Sequence, residues 1–282
     1  MNKCLITAET TCDLSEQILS ERGFKLIPIP VILGDTEYRD GKNLQAEQLF
    51  DYIKTAGELP KTAALTEYDY EEFFKECKQD NEVIIHFSIS SKASSTYFNA
   101  VKAAEKVGGV YVVDTRCLST GEALLMLKAS DMLAEGGEPK EVYEKIVRLT
   151  EKVQTSFVLD TLDYMHKGGR CSSAALFGSK ILKIHPYIYE NDGELTVKKK
   201  YMGALPRCMS QYIADIAAEY KNYDKTRAFV THSPCDGREL IEAVIAEVKK
   251  LFEFDEVIET EAGATVSTHC GKNTIGLLFI AE

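Results

Sequence analysis

Glu82-Val83-Ile84-Ile85-His86-Phe87-Ser88-Ile89-Ser90-Ser91-Lys92-Ala93-Ser94-Ser95-Thr96 decides the fold class. Residues 82–87 read as a buried strand, and beyond the hydroxyl-rich stretch Tyr97, Ala100, Val101 and Ala104 recur on one helical face. A strand that turns directly into a helix is the repeating unit of an α/β protein. The free amides at such a helix start favour a carboxylate or phosphate. Ser94 or Ser95 suits two roles there, helix cap or ligand donor, and the local pattern leaves both open.

Outward from this unit the alternation continues. Residues 4–7, 26–33, 83–87 and 110–113 read as strands, and 45–54, 95–107 and 119–133 as helices. Pro28 and Pro30 predict that their segment is an edge strand or an extended connection. After Gly136-Gly137, Glu138-Pro139 opens a new helix with Val142, Ile146 and Val147 on its apolar face, before the strand-like residues 155–159. A boundary is expected near residue 150, giving domains 1–150 and 151–282. In the second half, residues 183–190 and 194–198 flank Asn191-Asp192-Gly193, a strong signal for an antiparallel hairpin. Strands at 228–231, 256–259 and 274–279 and helices at 209–220 and 238–251 complete a second α/β layer.

The chain has 282 residues, 45% of them hydrophobic, enough core for two domains. No apolar run reaches membrane-spanning length, and Met1-Asn2-Lys3-Cys4-Leu5-Ile6 lacks a signal-peptide pattern, so no membrane insertion and a cytoplasmic location are expected. A formal net charge of -11 without interleaved aromatic and basic residues disfavours nucleic acid. Lys198-Lys199-Lys200 fits the solvated end of a strand as well as a contact for an acidic partner. Eight cysteines, none in a Cys-x-x-Cys pair, read as reduced structural thiols. Five histidines without a close ligand pair give no reason to expect a metal. With neither a Gly-x-x-x-x-Gly-Lys-Ser/Thr nor a Gly-x-Gly-x-x-Gly motif, no nucleotide cofactor is expected.

Five motifs give the chain a resemblance to the DegV family over essentially its whole length. They are Thr11-Cys12-Asp13-Leu14, Ser90-Ser91-Lys92-Ala93-Ser94-Ser95-Thr96-Tyr97, Val113-Asp114-Thr115 with Ser119-Thr120-Gly121, Leu159-Asp160-Thr161-Leu162, and Lys167-Gly168-Gly169-Arg170. DegV-like proteins bind fatty acids, and some are the acyl-carrying subunit of a bacterial fatty acid kinase. The resemblance therefore implies a two-domain α/β fold, with a mainly parallel N-terminal sheet, a mixed or antiparallel C-terminal layer, and a long-chain acyl group between them. It implies that Thr62 and Ser94 contact the carboxylate, and that Arg170 and His269 lie near the polar end or the kinase-facing surface. The chain departs from the family where Glu9-Thr10 replaces Asp-Ser and where Thr62-Ala63-Ala64-Leu65-Thr66 loses a serine at Ala63. Ser95 stands for a glycine, and no arginine stands in Lys200-Tyr201-Met202-Gly203.

Two hydroxyls can hold a carboxylate without placing a basic side chain in an apolar cavity. Each buried methylene of the tail adds about 0.8 kcal/mol before ordering costs. Phe73, Phe87, Phe157, Leu159, Leu162 and Ile188 are candidate tunnel walls, equally suited to plain core. The expected function is noncatalytic: the protein holds a fatty acid and presents its carboxylate to a separate ATP-dependent kinase. A serine acyl hydrolase using Ser94, His269 and Asp114 is one alternative, although no Gly-x-Ser-x-Gly elbow is present. A lipid sensor without kinase coupling is another.

Overall fold

A computed structural model describes residues 4–171 and 184–282. The first half contains β1 (Cys4–Glu9), α1 (Glu16–Arg22), β2 (Lys25–Ile27), β3 (Pro30–Leu33), β4 (Thr36–Arg39), α2 (Ala46–Ala56), β5 (Lys61–Thr62) and α3 (Glu67–Cys77). It continues through β6 (Val83–Ser88), α4 (Thr96–Val107), β7 (Val110–Asp114), α5 (Thr120–Ala134) and α6 (Pro139–Leu149). Then come β8 (Val153–Val158), α7 (Asp163–Gly168), β9 (Ile184–Asn191), β10 (Glu194–Met202), α8 (Leu205–Glu219) and β11 (Tyr223–His232). The chain closes with α9 (Arg238–Leu251), β12 (Glu256–Glu261), α10 (Ala264–Cys270) and β13 (Ile275–Ala281).

These elements form a two-domain α/β fold. The N-terminal sheet has the order β2-β1-β6-β7 and is parallel throughout. The C-terminal sheet, β10-β9-β8-β13-β11-β12, is antiparallel except where β11 meets β12. Between them stands α5, whose residues from Thr120 to Leu127 are all buried. Apolar side chains around its circumference fit this position, because the helix packs on the first sheet through Ile85, Phe87 and Val113 and on the second through Phe229 and Leu278. Gly121 permits the close approach: a Cβ there would lie 2.5 Å from Thr155 Oγ1 and 2.9 Å from Cys117 Cβ.

One expectation needs correction, and one helix carried no expectation at all. Residues 26–33 are not one strand, since β2 edges the parallel sheet and β3 belongs to a small antiparallel sheet of order β4-β3-β5. Pro28, which lacks an amide hydrogen, sits at the break. The helical face running through Tyr70, Phe74 and Cys77 also went unread, because α3 mixes it with Glu67, Asp69, Glu71 and Glu72. The expected hairpin is present with its turn at Asn191-Asp192-Gly193, and only Lys183 of that reading lies outside the described residues. Lys198 pairs with Glu219 and Lys199 with Asp215, so these two lysines bind their own domain. Among the described residues no helix is long and apolar enough to cross a membrane.

Candidate functional site

Leaving β1, the chain turns to β2 on one side and later reaches β6 on the other, so the sheet has a topological switch between β1 and β6. The loops after the carboxyl ends of strands flanking such a point form a crevice. Thr11 follows β1, and Ile89, Ala93 and Ser94 follow β6; all four line one cavity.

The loop carrying Ser94 is held at several points. Glu9 Oε2 accepts from the Ile89 amide at 2.9 Å, while its Oε1 takes the Tyr70 hydroxyl and lies 3.0 Å from His86 Nε2. Asp114 accepts from the Ser91 amide at 3.1 Å, and Ser90 Oγ donates to the Gly193 carbonyl in the β9–β10 turn at 2.7 Å. Ser94 thereby meets the cavity from a fixed backbone. Its Oγ accepts from the Thr96 amide at 3.2 Å and donates to Thr96 Oγ1 at 2.8 Å. The Ser94 proton is thus engaged by Thr96, and rotation of the hydroxyl about its C–O bond would turn that proton to a ligand while the Oγ still caps the Thr96 amide.

Thr62, Ser94, Arg170 and His269 come together around this cavity, with Thr11 and Thr265 as further hydroxyls. Ile29, Leu118, Met165, Leu195, Val266 and Cys270 supply its apolar wall. About 70 Å3 is open to the centre of a water molecule. A second chamber of about 30 Å3, walled by Phe157, Ala262, Gly276 and Leu278, shares Leu118, Val266 and Cys270 with the first. The three shared walls set the two chambers side by side. Of the apolar candidates read from sequence, Phe157 lines the second chamber and Phe73 a surface groove. Phe87, Leu159 and Ile188 are fully buried core and line neither chamber. Leu162 packs against the core beside them.

His269 orders the polar end. Its Nε2 lies 2.9 Å from Thr62 Oγ1, and its Nδ1 is buried without a partner among the described residues. Burial, aided by the Arg170 charge, pushes its pKa down to about 4, so the ring is neutral at pH 7. An unpaired lone pair costs less than an unpaired N–H, which places the proton on Nε2. The ring then donates to Thr62, and the Thr62 proton is free to point into the cavity. Arg170 is exposed and donates to the Gly168 carbonyl at 2.8 Å, so it stands at the mouth. Burial also pushes the Cys270 thiol up to about 12, which makes it an inert wall.

The histidine ring packs onto Gly168, where a Cβ would lie only 2.4 Å from His269 Nδ1. Helix propensity alone favours Gly168→Ala by up to about 1 kcal/mol. The clash opposes it, because the ring can retreat only by giving up Thr62. We expect a net loss of about 1–2 kcal/mol, read as a lower urea midpoint at unchanged slope; a raised midpoint would show that the ring yields freely.

The hydrogen bonds do not connect Ser94, His269 and Asp114 into a triad. Asp114 Oδ1 accepts from the Ser91 and Arg116 amides, and no carboxylate orients His269 among the described residues. Nor do three or more potential metal ligands gather among them. Sequence reasoning missed the Thr62–His269 pairing, which spans 207 residues. It quoted Asp13 only within a motif and passed over Asp40, yet both grip the start of α10: Asp13 Oδ1 accepts from the Gly263 amide at 2.8 Å, and Asp40 accepts from the Ala264 and Thr265 amides at 2.8 and 3.0 Å. Burial pushes the Asp13 carboxyl up to about 8; the neighbouring Asp40 charge adds to this, while the Ser119 hydroxyl and Gly263 amide oppose it.

The sequence profile of the DegV family matches residues 3–282. A DegV domain-containing protein of Halalkalibacterium halodurans is 26% identical over 286 residues, covering 100% of both chains. One from Caldanaerobacter subterraneus is 25% identical over 283 residues, covering 99% of both. A fatty-acid-binding DegV family protein from Thermus thermophilus superposes with a TM-score of 0.90 at 23% identity, covering 99% of this chain and 100% of that one. A Thermotoga maritima protein whose structure revealed a fatty-acid-binding function superposes at 0.85 with 25% identity, covering 100% of both.

Proposed function

This chain belongs to the DegV family, and on that basis we propose that it binds a long-chain fatty acid in these adjoining chambers and carries it without chemically altering it. The observation that bears most weight is the lining: Thr11, Thr62, Ser94 and Thr265 share one cavity with an apolar wall, the exposed Arg170 borders it, and Phe157, Ala262 and Leu278 wall the chamber beside it. The carboxylate would accept from Thr62 and Ser94, with Thr62 poised by His269. The tail would run past Leu118, Val266 and Cys270 into the second chamber, gaining about 0.8 kcal/mol for each buried methylene.

The finer reading is that the bound carboxylate is presented to a separate ATP-dependent fatty acid kinase, and that the acyl phosphate is retained for transfer. Arg170 supports it, because an exposed guanidinium bordering the cavity could stabilise the charge of a developing acyl phosphate. The kinase would supply ATP and its metal; this chain would supply orientation and a dry tunnel.

Native mass spectrometry of detergent-free protein, followed by denaturing lipid extraction, tests the first reading. A stoichiometric free fatty acid is the expected result. Folded protein that arrives empty and takes up no added fatty acid would overturn it. Acyl-ester turnover with covalent labelling of Ser94 would revive the hydrolase. Full lipid binding without ATP-dependent acyl phosphate formation by any cognate kinase would leave a sensor.

A further inference from the structure

By sequence α10 belongs to the C-terminal half, between β12 and β13, yet the amides at its start are held by the N-terminal half. Gly263 N–H goes to Asp13, and Ala264 and Thr265 N–H go to the two oxygens of Asp40. First-turn amides have no partner within their own helix, and a carboxylate is the acceptor that complements them best. The N-cap position is Gly263, which has no side chain to do this locally. Glycine is also what lets the two aspartates approach, since a Cβ there would lie 3.0 and 3.1 Å from the Asp40 oxygens and 3.4 Å from Asp13 Oδ1.

The helix so held carries Thr265, Val266, His269 and Cys270, four walls of the cavity. Ala264 is packed against Val31, Leu44, Leu49 and Phe50, so the first turn is fixed by apolar contact as well. Asp40 also reaches a fifth wall. Its amide donates to the Ile29 carbonyl at 3.0 Å, and its carboxylate accepts from Thr10, whose Oγ1 accepts from the Ile29 amide at 3.1 Å. Neither aspartate lines the cavity itself.

We propose that Asp40, seconded by Asp13, is a positioning residue for the ligand head group: it sets where α10 starts, and through that helix it sets the reach of His269 to Thr62. A helix rises 1.5 Å per residue, so a small slip at Ala264 displaces His269 by enough to break a 2.9 Å hydrogen bond. The consequence for affinity rests on the fatty-acid reading above; the consequence for His269 does not.

The test uses the full-length protein with Asp40→Ala, and with Asp40→Asn, which retains one acceptor oxygen. Histidine 15N NMR of the ligand-free protein reads the Nε2 resonance of His269, and palmitate binding reads the head-group site. For Asp40→Ala we expect a displaced Nε2 resonance and a palmitate Kd raised about tenfold or more, with Asp40→Asn intermediate in both. Ile213→Ala, on the buried face of α8, serves as a destabilised control matched by Tm and should move neither. Wild-type resonance and affinity in a folded Asp40→Ala protein would overturn the proposal, as would an equal response to Ile213→Ala. If wild-type protein takes up no palmitate but the resonance still moves only in the Asp40 variants, the positioning role stands and the fatty-acid reading falls.

Discussion

Thr62→Val combined with Ser94→Ala weakens long-chain fatty acid binding by at least about a hundredfold. Hydrogen bonds to a charged group contribute about 1.5–3 kcal/mol each, and each 1.4 kcal/mol is tenfold in Kd. The pair shares one carboxylate, so the double variant should fall short of the product of the single effects. Thr62→Val is the larger single change, because it preserves shape while leaving His269 Nε2 without its partner. Ser94→Ala removes one donor and frees the Thr96 amide. Calorimetric titration with a fatty acid and with the alcohol of equal length separates head from tail. The acid should lose far more affinity than the alcohol, since the alcohol never engaged the hydroxyls as a charged acceptor. Equal losses would place the carboxylate elsewhere, with both substitutions acting through packing.

The parts of this molecule that sequence reached are those governed by local periodicity. The strand at 83–88 and the helix at 96–107 followed from apolar spacing, and the β9–β10 hairpin from an Asn-Asp-Gly turn. The helix at 120–134 was also legible as a helix, but its central place was not. Burial on all sides erases the amphipathic signal that would say which way it faces. Short elements such as β5, with two residues, exist only because β3 offers an edge, and no local pattern announces them.

The candidate site divides in the same way. Ser94 was open as cap or ligand donor from the local pattern, the other residues came from resemblance, and the fold brings Thr62, Ser94, Arg170 and His269 to one cavity from four distant segments. What resemblance did not convey is their mutual support. Thr62 is oriented by a histidine on α10, and that helix is fixed by two aspartates near the other end of the chain. Such dependence arises from tertiary packing, so an acidic residue in a polar stretch like Tyr38-Arg39-Asp40-Gly41 reads as surface until its burial is known.

Asp13→Asn should remove a loss of stability that accompanies rising pH between about 4 and 8, so that the variant gains on wild type across that window. The Asp13 carboxyl is fully buried, and its pKa is pushed from 3.8 up to about 8 in the folded state. Between those values the folded chain holds a proton that the unfolded chain releases, so the contribution of Asp13 to stability is present at acid pH and is lost as pH rises. Each pH unit across that window is worth up to 1.36 kcal/mol, so the loss is on the order of 5 kcal/mol before relaxation and water entry reduce it. Asparagine mimics the protonated acid: its oxygen can still accept from Gly263, its amide can donate to the Ser119 hydroxyl oxygen, and it tolerates the φ of 51° found at this position. His269, with its pKa pushed down to about 4, acts in the opposite direction: its contribution is present above about pH 6.5 and lost as pH falls toward 4. The two slopes oppose each other below pH 6.5, so wild-type stability alone would hide both. The difference between wild type and Asp13→Asn isolates one. Urea unfolding at pH 5, 6, 7 and 8 should show the variant gaining steadily on wild type as pH rises, whereas parallel profiles would mean that Asp13 is already ionised in the folded protein and that its carboxylate meets the start of α10 as a charge.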